Sequence, residues 1–262
     1  MVISKTQSEI IPNVTMSCPS RKGVRKLIAK KYSMRSSDRL SQLPTGFRHP
    51  SKEIVREFES LLPELNAFDV SKYERYERVE FDYVEGIPIS ALRDPAHLKT
   101  KLRKARKGIP GGYDPCFSGS ASEIGDLIDG TFKHAFEESS SMSNAVMKSK
   151  FHEVFGVEIA GCCDGIYRDR PIEIKSVSTL GSMNVLRTLA KNWFQFAAYN
   201  WLYGHSPIIA IVCRESLNIE LVELESDMVE IAMRNWSEWN SQIAGTKPDA
   251  AIPVSTESIL VK

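Results

Sequence analysis

Between Val157 and Val177 two apolar runs flank a short polar turn, and they carry three charged residues that a sheet interior tolerates poorly one at a time. The first run, Val157 to Tyr167, ends its Gly161-Cys162-Cys163-Asp164 segment on an acid. The turn is Arg168-Asp169-Arg170-Pro171, and the second run, Ile172 to Val177, holds Glu173-Ile174-Lys175. Short apolar runs bounded by turn residues read as the two strands of a hairpin. Side chains alternate along a strand, so Glu173 and Lys175 leave by the same face, and the hairpin can bring Asp164 beside them. Two carboxylates and an ammonium at one point of a sheet are costly unless they share a task. Oxygen donors of this kind suit a hard divalent cation such as magnesium or manganese, which can activate water. The plain alternative is that each charge simply faces water, and E-x-K triplets are common by chance, so the surroundings must decide.

Two polar pairs at helical spacing flank the hairpin. His134 and Glu138 lie four apart in Gly130-Thr131-Phe132-Lys133-His134-Ala135-Phe136-Glu137-Glu138 and share one helix face. Gln195 and Tyr199 lie four apart in a segment that is otherwise apolar and aromatic, Trp193 to Trp201. A buried amide without a partner costs about 1–3 kcal/mol, so Gln195 needs one. Taken singly, His134 is better read as a satisfied helix histidine, and Gln195 with Tyr199 as part of a helix covering a sheet with its polar tips in water.

Taken in order, G-x-x-x-H, G-x-x-D, E-x-K and Q-x-x-x-Y, these residues resemble the PD-(D/E)xK nuclease superfamily. Within it they are most similar to the RecB-like exonucleases and their CRISPR-associated and phage relatives. The resemblance covers about residues 120 to 243. It implies that Asp164 and Glu173 ligate the metal by carboxylate, with the backbone carbonyl of Ile174 and the side chain of His134 as further ligands. It implies that Lys175 orients the attacking water or stabilises charge on the phosphate. Gln195 and Tyr199 would position the nucleic-acid strand or steady Lys175, and Glu138 matches less firmly. The implied fold is α/β: a restriction-endonuclease-like core with a mixed central sheet flanked by helices. The implied cofactor is one or two magnesium or manganese ions.

The cysteines depart from the pattern of relatives that hold an iron–sulfur cluster. Cys18, Cys116, Cys162, Cys163 and Cys213 include no C-x-x-C, and none follows Cys213. A cluster needs four thiolates, and adjacent strand residues point to opposite faces, so no cluster is expected. Five cysteines without framework spacing suit a reducing, intracellular compartment. The N-terminus lacks the basic-then-apolar order of a signal peptide, and no apolar run reaches the length of a membrane span. The expectation is a soluble intracellular protein with no membrane partner.

A net charge of +1 over 262 residues conceals an asymmetry: residues 1 to 110 carry +9 and residues 111 to 262 carry −8. A basic half can meet phosphates while an acidic half holds a cation. The division expected is a basic, nucleic-acid-contacting N-terminal region over 1–110 and the nuclease core over 111–262. The densest basic run, Lys101, Arg103, Lys104, Arg106 and Lys107, closes a helix opened by Pro95 and is the candidate phosphate-contacting segment. A second cluster spans Arg21 to Lys26.

Elsewhere the spacing predicts a helix from Ser51 to about Leu62, a strand through Val79, Phe81 and Tyr83, and a linker over Gly108 to Ser120. Ser120 and Glu123 have capping-box spacing before a helix through Phe136, and a strand is placed near Phe151 to Phe155 as the first of the sheet. A long helix from Met183 to Tyr203 stops at Gly204; Ile208 to Cys213 reads as a buried strand with a neighbour at Ile219 to Val222. Ser226 is placed as the cap of a final helix.

The activity expected is metal-dependent hydrolysis of phosphodiester bonds in DNA, as an exonuclease on ends or single strands. Trp193, Phe194 and Trp201 could stack on bases, although aromatics at helical spacing more often pack in a core. The alternatives are an RNA endonuclease of the same superfamily, a restriction-type endonuclease, and a non-catalytic nucleic-acid-binding protein that keeps the fold.

Overall fold

The computed structural model describes residues 30–35, 43–69, 86–107 and 120–244. Its strands are β1 (Ser33–Met34), β2 (Phe47–Arg48), β3 (Gly86–Pro88), β4 (Met142–Asn144), β5 (Lys148–His152), β6 (Val157–Gly161), β7 (Gly165–Tyr167), β8 (Arg170–Val177), β9 (Ile208–Cys213) and β10 (Asn218–Leu224). Its helices are α1 (Lys52–Ser60), α2 (Leu62–Ala67), α3 (Pro95–Ala105), α4 (Ser120–Glu138), α5 (Ser182–Tyr203) and α6 (Met228–Ala244), with a 3-10 helix at Ile89–Arg93. The Arg21–Lys26 cluster, the strand expected at Val79–Tyr83, the linker from Gly108 and the capping contact of Ser120 with Glu123 lie outside what is described.

The larger sheet runs β1-β10-β9-β8-β7-β4, with β2 also on β10. β8 and β9 are parallel, from Ile172 opposite Ile208 to Val177 opposite Cys213. Parallel neighbours require a crossover, and α5 supplies it. β7–β8, β4–β7 and β9–β10 are antiparallel. Both faces of the sheet are covered, which is why β9 is apolar without alternation. Ile209, Ile211 and Cys213 join a core with Val185, Leu189 and Phe196 of α5; Ile208, Ala210 and Val212 join a second core with Leu127, Phe132 and Phe136 of α4. The chain is thus a mixed α/β fold with helices on both sides of its main sheet.

The N-terminal half feeds both layers. Phe58, Leu61 and Leu65 of the α1–α2 segment pack into the α4 core, and Ile87, Leu92, Leu98 and Leu102 pack into the α5 core. Local signals set the helix ends. Ser51 Oγ accepts from Ile54 N at 3.4 Å, and Asp94 Oδ1 accepts from Ala96 N and His97 N at 2.7 and 3.1 Å ahead of Pro95. Gly204 closes α5 at φ 81°, where its N–H reaches Asn200 O. The cap placed at Ser226 falls one residue early: it is the carbonyl of Asp227 that accepts from Ile231 N, at 3.3 Å. Among the described residues no helix is long and apolar enough to cross a membrane.

The smaller sheet, β3-β6-β5, changes the reading of the hairpin. The run Val157–Tyr167 is not one strand. β6 belongs to the smaller sheet and β7 to the larger, and Cys162–Asp164 carries the chain between them. The strand expected at Phe151–Phe155 is likewise β5, which ends at His152 and lies in the smaller sheet. The link between β4 and β5 crosses alongside, because Asn144 pairs with Gly165 and Lys148 with Gly161. Glycines mark both ends of the crossing because the chain passes too close to its neighbours for a side chain. A Cβ on Gly161 would lie 2.6 Å from Ile89 Cγ2, and one on Gly165 would lie 2.5 Å from the Phe136 ring. Continuous apolar composition hides such a break from any periodicity argument.

Candidate active site

The crossing leaves part of β8 without a neighbour. β7 pairs with β8 only from Arg170 to Ile172, so beyond Ile172 that edge is open. The N–H and C=O of one strand residue point to the same edge, so those of Ile174 both face the gap. Asp164 fills it. Its backbone N–H donates to Ile172 O at 2.9 Å, and its Oδ2 accepts from Ile174 N at 2.7 Å. A carboxylate oxygen thus replaces the ladder partner that β7 does not provide. The other oxygen of Asp164 accepts from none of the described residues.

Glu173 and Lys175 project from β8 towards α5, as alternation requires. Glu173 is buried, and its Oε1 accepts from Lys175 Nζ and, at 3.2 Å, from Gln195 Nε2. The Gln195 amide also lies 3.4 Å from the Tyr199 hydroxyl, which in turn donates to Cys162 O at 3.0 Å. One unbroken path therefore joins the segment ahead of Asp164 to Glu173 and Lys175. Glu173 Oε2 is buried and, among the described residues, has no hydrogen-bond partner. Each acid commits one oxygen to the protein and keeps one uncommitted.

The charges are unbalanced. Burial, then the nearby Glu173 and Asp129, push the Asp164 carboxyl well above the usual carboxylate range. Burial acts to lower the Lys175 ammonium, but the attraction of Glu173 and Asp164 and the Glu173 hydrogen bond outweigh it, so its pKa lies above the ordinary value. Burial and the two acids likewise raise the Tyr199 phenol, which stays a donor. Burial lifts the Cys162 thiol to about 11 and the Cys163 thiol to about 12, with Asp164 and Glu173 adding to both. Neither thiol is therefore a nucleophile near neutral pH.

From the opposite face of the sheet α4 contributes residues that sequence reasoning passed over. Asp129 acts electrostatically on Asp164, Lys175 and Cys162, and its partner Lys133, at 2.8 Å, acts on Asp164. Their i,i+4 acid–base spacing was the available signal. The structure does not bring His134 into this group. Its ring packs on Phe68, with centroids 5.3 Å apart, and among the described residues no hydrogen bond or ion pair joins it to Asp164 or Glu173. His134 lies five residues beyond Asp129, about 140° around the helix, so one helix face cannot present both. Glu138 is exposed at the helix end.

The basic run on α3 divides. Lys101 is buried at 4% exposure, while Arg103, Lys104, Arg106 and Lys107 are exposed. Arg106 turns to α6, where its Nη2 donates to Asn240 Oδ1 at 3.1 Å. Amphipathic packing explains Lys101, which follows Leu98 and precedes Leu102 on the buried stripe of α3. Trp193 and Phe194 are core residues, and Trp201 lies beneath the ammonium of Lys150.

The donor set suits a hard divalent cation. The uncommitted oxygens are carboxylate, the orphaned Glu173 Oε2 lacks a partner that a cation would provide, and the Ile174 carbonyl faces the same open edge. Among the described residues no three His, Cys, Asp or Glu side chains converge into a protein-only cage. Magnesium does not ask for one: it commonly binds through one or two carboxylates and completes its shell with water and substrate phosphate.

No protein-family model matches the chain, and no curated protein matches it. Among solved structures it is similar to the crystal structure of SSO0001, with 15% identity and a TM-score of 0.44 over 76% of this chain and 89% of that one.

Proposed function

We propose that this chain is a divalent-metal-dependent nuclease of the PD-(D/E)xK type, with a restriction-endonuclease-like core and a basic N-terminal region, that hydrolyses phosphodiester bonds of DNA at ends or in single strands. The observation that carries the reading is the pairing of two half-committed carboxylates, Asp164 and Glu173, with the ammonium of Lys175 at an open sheet edge.

The chain's own groups divide the labour. Ile174 N–H fixes Asp164, and Gln195 with Lys175 fixes Glu173, so both acids are held before substrate arrives. Lys175 stays charged at neutral pH and is no proton acceptor in this state; its role is to orient water and stabilise the charge that develops on the phosphate. Tyr199 and Gln195 are positioning residues that act through Glu173 and through the Cys162 carbonyl. Asp164, Glu173 and the carbonyl of Ile174 would hold magnesium or manganese, which lowers the pKa of water and polarises phosphate.

End-labelled single-stranded, linear duplex and closed circular DNA, incubated with manganese, magnesium or EDTA beside a Glu173→Ala control, test this directly. The expected result is cation-dependent loss of linear substrates with circles spared, absent in the control. Cleavage of RNA alone would move the reading to the RNA endonucleases of the superfamily. Cation-independent binding without cleavage of either would leave a non-catalytic nucleic-acid-binding protein.

A further inference from the structure

The link between β4 and β5 exposes apolar side chains at the rim of the site. Val146 is 73% exposed and Met147 36%, yet the backbone beneath them is pinned. Ala145 O accepts from Cys162 Sγ at 3.4 Å, and Val146 O accepts from the Tyr203 hydroxyl at 3.3 Å. That same hydroxyl accepts from Cys163 N at 3.4 Å, and Asn144 pairs with Gly165. Ala145–Val146 therefore lies directly beside Cys163–Asp164. Two lysines follow: Lys148 Nζ sits 4.4 Å from the centroid of the Tyr203 ring and Lys150 Nζ 4.8 Å from that of Trp201. Both ammonium groups rest on aromatic faces at the surface, where no carboxylate among the described residues forms an ion pair with them.

We propose that Val146 and Met147 form an apolar platform for a base of an unpaired DNA strand, with Lys148 and Lys150 holding its phosphates, so that the strand is delivered across this rim to Asp164 and Glu173. The proposal rests on the nuclease reading. Exposed apolar side chains on a pinned backbone beside the proposed cleavage site offer a contact surface to an apolar partner, and the face of an unpaired base is such a partner. Every base has such a face, and contact with it is tolerant of sequence. The lysines supply charge complementarity to the backbone, and a base stacked inside a duplex would not be free to meet the platform. The substrate class is thus a single strand or a frayed end.

Fluorescence anisotropy of the full chain in EDTA, with labelled oligothymidylate and an abasic strand of equal length, reads the platform apart from catalysis. The wild type is expected to prefer the oligothymidylate by about tenfold, on the scale of one base contact. Val146→Ser with Met147→Ser should abolish that preference and leave abasic binding unchanged; both side chains are exposed, so folding is not at stake. Lys148→Ala with Lys150→Ala should weaken both strands alike. Equal binding of both strands by the wild type, a preference that survives the serine changes, or no DNA binding at all would overturn the proposal. Metal-dependent cleavage by the serine variant at wild-type affinity would leave the nuclease reading standing and sink only the platform. Loss of base preference in the serine variant of a protein that cleaves nothing would leave a strand-binding platform but overturn the nuclease reading, and with it delivery to Asp164 and Glu173.

Discussion

The amide of Gln195 donates at 3.2 Å to Glu173 and lies 3.4 Å from the hydroxyl of Tyr199 on the same helix. A single side chain on α5 thus orients an acid on β8 and ties it, through Tyr199, to the segment that delivers Asp164. Removing it leaves both acids in place but frees one of them to rotate. Gln195→Leu is expected to fold and to lose activity by roughly 10–100-fold, the usual cost of removing a group that orients a metal ligand. Manganese titrations of cleavage should show a weakened response to cation; a variant with wild-type titration and rate would sink the assigned role.

Lys175→Ala should reduce cleavage by at least about 10²–10³-fold, the scale of removing one preorganised charge from a reaction centre. DNA binding measured in EDTA should change little. A fully active variant would remove Lys175, and with it the proposed mechanism.

His152 makes stability depend on acid. Its ring is buried against Phe155, Trp201 and Trp236, and among the described residues neither nitrogen has a hydrogen-bond partner. Burial lowers its pKa from 6.5 to about 4; its own backbone works against that shift, and the charge of Lys150 adds a smaller lowering effect. The unfolded chain takes up a proton near 6.5 and the folded chain does not until about 4. Stability is therefore kept above pH 6.5 and lost as pH falls through that window, by up to roughly 3 kcal/mol. His152→Phe keeps the stack and removes the titration. Denaturant unfolding at several pH values should show the variant's acid loss reduced by that amount relative to wild type, and parallel profiles would refute it.

The exposed part of the α3 basic run separates from its buried lysine. Reversing Arg103, Lys104 and Lys107 should weaken single-stranded DNA binding and lower the salt slope by about 0.7 for each phosphate that is no longer neutralised. Lys101→Glu should instead lower stability without selectively altering that slope, because its side chain is inside. An unchanged slope in the triple variant would make this run an ordinary solvated helix end.

Much of the fold was legible in the chain because local rules and packing agree there. β9 reads as a buried strand from six apolar residues, α5 from its length and Gly204, α1 from its cap at Ser51 and α3 from Pro95 in its first turn. Glu173 shares a face with Lys175, and Gln195 with Tyr199, as their spacing implied; that the two pairs meet through Glu173 and Gln195 was not encoded in either spacing. The break at Cys162–Asp164 was not legible, since two cysteines continue the apolar run, and its cause lies in residues distant in sequence, Ile89 and Phe136. The direction of His134 depends on which face of α4 meets the sheet, which a G-x-x-x-H spacing does not encode. The glycines at the crossing do carry the information: Gly165→Ala should cost about 1–3 kcal/mol in unfolding experiments by forcing the Phe136 ring aside. An alanine variant as stable as wild type would show that the crossing has room to spare.

The turn between β7 and β8 is made by Arg168 and Asp169, both at positive φ, 46° and 66°, a conformation that an aspartate tolerates and an arginine rarely adopts. Arg168 is held there by Glu53, at 2.6 Å. Its length works as a ruler. With two residues at the tip, Tyr167 falls opposite Arg170, Gly165 opposite Ile172, and Asp164 reaches Ile174 N–H. One inserted residue would slide the count by a step and carry the aspartate's side chain to the wrong side of the sheet. An insertion on the outer surface, tolerable in most loops, would here dismantle the proposed site without touching it.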